Sequence, residues 1–266
     1  MIVRWWRGLQ ARRERAVLER RAIPDDLWKR TLVRYPFLRR RDDPAAAELR
    51  RLTSLFLDRK EFSTTGGLRL TDAMAVAVAA QACLPVLRLG LERYDGFVGI
   101  VVHPDTIDAV HEVHDEAGVV HAVEETRLGE AMEGGPVQLA WPYVHGAGRS
   151  AAQGLNVVIH EFAHVLAAQF SIDEGVPLLP QGLPLAEWRA TMAAEFDDFV
   201  RRTEAEDATT MDPYGASGPG EFFAVATESF FVQAQKLRAE QPVLYALLAR
   251  LFLQDPAEEQ PPPRRA

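Results

Sequence analysis

The run His160-Glu161-Phe162-Ala163-His164 constrains this chain more than any other stretch of it. On a helix, residues four apart stack on one face, one turn above the other. His160 and His164 can then turn two imidazole nitrogens toward a single zinc ion, the HExxH arrangement. Glu161 adjoins the first ligand without sharing its face. It would lie beside the metal, where a general base can act on zinc-bound water. The flanks favour a helix: Val157, Val158, Ile159, Phe162, Val165 and Leu166 are apolar, and no Gly or Pro falls between Leu155 and Phe170. Two histidines and a glutamate in a buried helix need a reason to be there, because burying an unpaired polar group costs about 1–3 kcal/mol. The pentapeptide also arises by chance in unrelated helices, so a third ligand is the decisive question.

Catalytic zinc takes three protein ligands and leaves a fourth position open. Downstream, Met211 to Gly220 is rich in Gly, Pro and Ser and reads as a loop, after which Glu221 opens an apolar helix running to about Lys236. Glu221 and Glu228 are seven apart, two helical turns, so both can face the same way. Spacing does not choose between them. Glu221 also suits a first-turn acid favoured by the helix dipole, and Glu228 a carboxylate behind a metal ligand or at the surface.

The residues Val158-Ile159-His160-Glu161-Phe162-Ala163-His164, then Tyr214-Gly215, then Glu221-Phe222-Phe223-Ala224 resemble the Mlc titration factor A family of zinc peptidases. The Tyr…Glu-Phe-Phe-Ala spacing is similar to that of the catalytic domain of anthrax lethal factor. Leu52 to Leu57, Lys60-Glu61-Phe62, Ala79 to Leu84, Tyr94-Asp95-Gly96 and Val102-His103-Pro104 extend the likeness to the N-terminal half. The resemblance implies an α+β, helix-rich, zincin-like metallopeptidase with a small mixed sheet, an HExxH helix and a downstream helix bearing the third ligand. Carried over position by position, it implies one zinc per chain on His160, His164 and Glu221. Glu161 would be the base, and Tyr214 the hydroxyl that stabilises the tetrahedral intermediate. It also implies a partner, a transcriptional repressor of sugar-uptake genes. Two positions depart from the family's pattern. Ala167 replaces an acid three residues after His164, leaving Asp173, Glu174 or a backbone carbonyl to orient that histidine. His103 stands where the family tends to have Tyr.

Composition fits a soluble enzyme: 266 residues, 47% of them hydrophobic, can bury a substantial core. The single cysteine, Cys83, excludes an intramolecular disulfide and reads as a small core hydrophobe. Its stretch, Ala73 to Leu91, is interrupted by Gln81, Pro85 and Arg88, which suits a buried helix breaking at Pro85 and not a membrane span. No signal-peptide pattern follows the N-terminal arginines, so a cytoplasmic location is the default expectation. The net charge of −8 hides an asymmetry: residues 1–41 hold thirteen Arg/Lys against four Asp/Glu, +9, which leaves −17 for the rest. The basic start, with Trp5 and Trp6, fits an amphipathic helix on an anionic membrane or acidic partner. The simpler expectation is a solvated arm, or a helix folded back on the acidic body. The acidic remainder would repel phosphate backbones, so no direct nucleic-acid binding is expected.

Helical patterning covers about 7–21, 24–35, 44–57, 71–84 with Thr71-Asp72 as cap, 185–204, 221–240 and 242–253. Residues 96–103 and 118–123 read as strands, the second in a hairpin with what precedes it. Residues 105–116 read as polar loop or short helix. Residues 136–144, bounded by prolines, read as an edge strand beside the metal, able to hold a substrate backbone by β-addition. His145 falls on an expected glycine loop before the metal-binding helix, either solvated or reaching the pocket. His103 reads as partly buried at a strand end, and His111, His114 and His121 as non-ligands. The expected organisation is a helical part, 1–95, packed on a catalytic part, 96–254, with a disordered tail from 255. Two functions compete: a zinc-dependent peptidase, aminopeptidase-like or acting on small peptides, and a non-enzymatic regulator that sequesters a repressor.

Overall fold

The computed structural model describes residues 12–39, 43–114, 120–131, 135–168 and 175–259. Helix α1, over residues 12–20, folds back on the body of the protein. Arg20 meets Asp58 at 2.8 Å, Glu14 pairs with Arg51, and Val17 and Leu18 pack on the core. The tryptophan-bearing residues 1–11 lie outside the described residues. Helices α2 (Asp25–Arg34), α3 (Asp43–Arg59) and α4 (Asp72–Ala82) follow the expected pattern. Thr71 caps α4 by accepting from the Met74 amide at 3.3 Å. The chain leaves α4 at Cys83, whose thiol is buried and pushed up by that burial.

Strands β1 (Glu61–Thr64), β2 (Gly99–His103), β5 (Gly129–Ala131) and β6 (Val137–Ala140) form a mixed sheet in the order β1-β2-β6-β5. β1, β2 and β6 are parallel, and β5 runs antiparallel to β6 with Glu130 opposite Gln138. Ile100, Val102, Val137 and Leu139 are buried. Three expectations are corrected here. Residues 107–114 form strand β3, paired with β4 (Val120–Arg127) from Ile107↔Arg127 to His114↔Val120, and not a loop or short helix. β6 is an inner strand; the edge is β5. Proline 142 does not bound a strand but starts helix α5 (Trp141–Ser150), where a proline in the first turn loses no helical hydrogen bond.

Helix α6 (Val157–Ala168) carries the HExxH run, and α7 (Leu185–Glu204), α8 (Pro219–Val232), α9 (Ala234–Glu240) and α10 (Pro242–Phe252) complete the helical layer. The expected single helix over 221–240 is two, broken at Gln233, whose backbone departs from helical values. The tail expected to be disordered from 255 begins with a short helix, α11 (Pro256–Glu259), in which Ala257 is buried and its amide donates to the Tyr245 hydroxyl at 2.9 Å. One cluster of buried apolar side chains runs from Ile23 to Ala257.

Phe162 on α6 sits among Tyr94, Phe97 and Phe56 at ring-centroid distances of 5.0, 5.6 and 5.7 Å. Edge-on aromatic packing of this kind adds to area burial and holds α6 in place. Among the described residues no helix is long and apolar enough to cross a membrane.

Candidate metal centre

Helix α6 begins at an asparagine. The buried Asn156 accepts from the Ile159 amide at 3.0 Å through its side-chain oxygen, as an N-cap does. Ahead of it, Gly154 takes a left-handed turn (φ +86°). A side chain there would crowd the Thr210 carbonyl and the Gln233 and Ser229 side chains at 3.1–3.3 Å. These two residues set where the first turn of α6 starts, and therefore which residues face α8.

Three donor atoms converge between α6 and α8. Glu221 Oε2 lies 3.0 Å from His160 Nε2 and 3.4 Å from His164 Nε2, and the two nitrogens are 3.2 Å apart. Tetrahedral ligands at the usual zinc bond lengths of about 2.0–2.2 Å stand roughly 3.3–3.5 Å from one another, which these spacings approach. Glu221 Oε2 is also buried without a hydrogen-bond partner. An orphaned carboxylate oxygen facing two imidazole nitrogens is what a cation would satisfy, so the residues fit a metal ion. Among the described residues, this trio is the one His/Cys/Asp/Glu cluster arranged to hold one.

Glu228, left open as an alternative ligand, faces the other edge of the same ring. His160 Nδ1 donates to Glu228 Oε1 at 2.7 Å. A proton held on Nδ1 leaves the Nε2 lone pair directed at Glu221 and His164. The other Glu228 oxygen accepts from the Asn156 amide, and Asn156 Nδ2 donates to Gln81 Oε1 at 2.9 Å. A buried polar line thus runs from α4 through the start of α6 to the ring of His160. Gln81, met in the sequence as an interruption of an apolar stretch, has its reason there. Burial works against a charged His160, yet the carboxylates of Glu221 and Glu228 hold its pKa well above the usual value, so a bound metal would displace the proton from Nε2. Burial likewise works against a charged Glu221, and the two imidazoles pull it well below the carboxylate range. Burial raises Glu228 in spite of His160 and the Asn156 amide.

Glu161 points to the other side. It is buried, and burial pushes its carboxyl up to about 7 against the pull of His160 and His164. Its neighbour is the edge strand: a Cβ on Gly129 of β5 would stand 2.5 Å from Glu161 Oε1 and 2.6 Å from Cγ. Tyr214, on a short turn of 3-10 helix (Pro213–Ser217), is half exposed, with its ring 6.3 Å from that of His160. The five expected site residues are therefore gathered at one place. Gly129, Asn156 and Gln81 were missed; Asn156 carried a visible signal, a capping residue three ahead of Ile159.

His145 is not on a loop: it lies in α5, its ring 5.5 Å from that of Trp141. His103 ends β2, half-buried, between Thr65 Oγ1 at 3.0 Å and Gln138 Oε1 at 2.9 Å. The side chains of His111, His114 and His121, and the proposed substitutes Asp173 and Glu174, lie outside the described residues. Ala167 is buried among apolar neighbours.

A helix-rich α+β fold with a small mixed sheet, joining an HExxH helix to a glutamate-bearing one, is zincin-like and of the metallopeptidase class. The chain belongs to the glucose-regulated metallo-peptidase M90 family, whose model matches residues 9–253. It is 32% identical over 246 residues to an uncharacterized protein of Synechocystis, covering 92% of this chain and 89% of that one. It is 33% identical to Mlc titration factor A of Pectobacterium atrosepticum over 227 residues, 84% of each chain. With Mlc titration factor A of Klebsiella pneumoniae strain 342 it shares 31% over 234 residues, 87% of each.

Proposed function

We propose that this protein is a zinc-dependent peptidase whose metal is held by His160, His164 and Glu221. The observation that carries the reading is the orphaned Glu221 oxygen facing two imidazole nitrogens beside the buried carboxyl of Glu161. A bound zinc would polarise the scissile carbonyl and bring the pKa of water toward 7. Glu161 then takes the proton from the attacking water and passes it to the leaving amine, as a carboxyl beside the metal and clear of its ligand set can do. Tyr214 donates its hydroxyl to the developing oxyanion. Glu228 holds His160 in the tautomer that leaves Nε2 free to ligate. Small or unfolded peptides, with an aminopeptidase-like mode, are the proposed substrates, and the cytoplasm is the proposed location.

A second reading rests on the name its relatives carry. Two of them are Mlc titration factor A, which supports a repressor protein as partner, either modulating the peptidase or sequestered by a chain that performs no chemistry. One experiment separates the two. Purified protein should contain about one zinc per chain and cleave a peptide library in a chelator-sensitive manner, and His164→Ala should lose both properties. A protein that holds zinc and cleaves nothing favours the regulator. Undiminished zinc in the variant removes His164 from the site.

A further inference from the structure

Helices α2 and α5 enclose a cleft of about 480 Å³ lined by Lys29, Arg30, Val33, Arg34, His145, Gly148 and Arg149. On α2 the lining positions are i, i+1, i+4 and i+5; on α5 they are i, i+3 and i+4. Each set forms one helical stripe, and the two stripes face each other across the gap. Four permanent cations and an imidazole line the cleft, and no acid does. Arg30 is matched by Asp26 at 2.8 Å. Lys29 lies in the field of Asp25. Among the described residues no carboxylate forms an ion pair with Arg34 or Arg149.

Arg34 and Arg149 sit in the last turns of their helices, where the dipole favours a cation. That accounts for each alone. It does not account for Lys29 and Arg30 on the same stripe, since Arg30 and Arg34 are a like-charged i,i+4 pair, a mildly destabilising arrangement. Nor does it account for a second helix that brings Arg149 and His145 to the same gap.

The walls are held in place. A Cβ on Gly148 would stand 1.8 Å from the Arg34 carbonyl oxygen, so the two backbones meet at that point and only glycine admits the approach. The buried Tyr35 hydroxyl donates to the Val144 carbonyl at 3.1 Å, tying the end of α2 to α5. An Arg34 guanidinium nitrogen lies 3.4 Å from His145 Nδ1; as guanidinium only donates, Nδ1 accepts and the imidazole proton sits on Nε2. Every polar side chain lining the cleft is then a donor. Burial and the two arginines also hold His145 below its usual pKa, consistent with unmatched positive potential in the gap.

We infer that the cleft between α2 and α5 is a binding site, separate from the metal centre, for a small molecule carrying a phosphate group. The guanidiniums of Arg34 and Arg149 would grip the phosphate oxygens as paired donors, with Lys29 as a point charge. The volume falls in the range of small-molecule sites, and the exposed Val33 offers an apolar wall for the body of the ligand.

The test is titration calorimetry of the full chain at 150 mM salt with inorganic phosphate, phenyl phosphate and an acidic decapeptide of glutamates. Saturable binding of phenyl phosphate, tighter than inorganic phosphate and competed by it, is expected. Arg34→Gln and Arg149→Gln are exposed substitutions that spare the fold; each should weaken binding roughly tenfold or more through lost charge-assisted hydrogen bonds. His164→Ala, which disables the metal centre, should leave binding unchanged. The inference is overturned if phenyl phosphate shows no saturable binding, if both arginine variants bind as the wild type does, or if His164→Ala abolishes binding. Tight binding of the decapeptide that phosphate does not compete would overturn it in favour of an acidic protein segment.

Discussion

On the side of α6 that faces α4 and α8, His160 is held by attraction: Glu228 takes its Nδ1 proton, Asn156 fixes Glu228, and Gln81 fixes Asn156. On the side that faces β5, Glu161 has its place because something is missing, the Cβ of Gly129. The ligand side is a chain of buried polar groups, each satisfied by the next, so a change anywhere along it is felt at the metal. The base side is steric, and its carboxylate stays free to change protonation because no partner in the strand claims it. Metal affinity and chemistry should therefore respond to different mutations.

Glu161→Gln tests that separation most severely. It preserves shape and should keep zinc, while peptide hydrolysis falls roughly 10²- to 10⁴-fold for want of a base. Metal content by mass spectrometry and initial rates on peptides measure the two halves; full activity in this variant would sink the mechanism. Gly129→Ala comes next. Its methyl must displace the Glu161 carboxylate, and a displacement approaching 1 Å costs on the order of 10²-fold in rate. Zinc should remain bound, and a loss of zinc together with activity would show that the strand shapes the ligands as well. Glu228→Ala should do the reverse, weakening zinc roughly ten- to a hundredfold in a chelator competition. If the metal in this variant is as tight as in wild type, Glu228 does not orient His160. The smallest effect is expected from Asn156→Ala, about 1–2 kcal/mol of stability in urea denaturation from the lost cap and stranded partners. A shift within error would mean that the cap is redundant.

Much of the ligand side was legible in the sequence because helices repeat every 3.6 residues, so i and i+4 positions betray a shared target. Even the ambiguity of Glu221 against Glu228 was informative: both face His160, one at each ring nitrogen, and spacing could not say which edge each would meet. On the base side Glu161 itself was legible, but the strand that meets it was not. Nothing local in Leu128-Gly129-Glu130 announces contact with Glu161; the approach is made through pairing of β5 with β6 and the packing of α6 across them. The same cause misplaced the sheet edge, since 137–140 becomes an inner strand only when 129–131 adds beside it. The strand expected over 118–123, and its hairpin with what precedes it, are found as β4 and its pairing; β3 itself escaped because 107–114 carries no strong signal apart from that pairing. Proline 142 was a boundary mark read in the wrong direction.

Phe162 follows Glu161 on α6, and its ring is locked among Phe56, Tyr94 and Phe97 from the first hundred residues. The ligands of α6 are consequently positioned in part by that distant stretch of the chain. Zinc binding at the centre should then stabilise the fold as a whole, so a zinc titration followed by melting temperature reads the whole molecule and not only its centre.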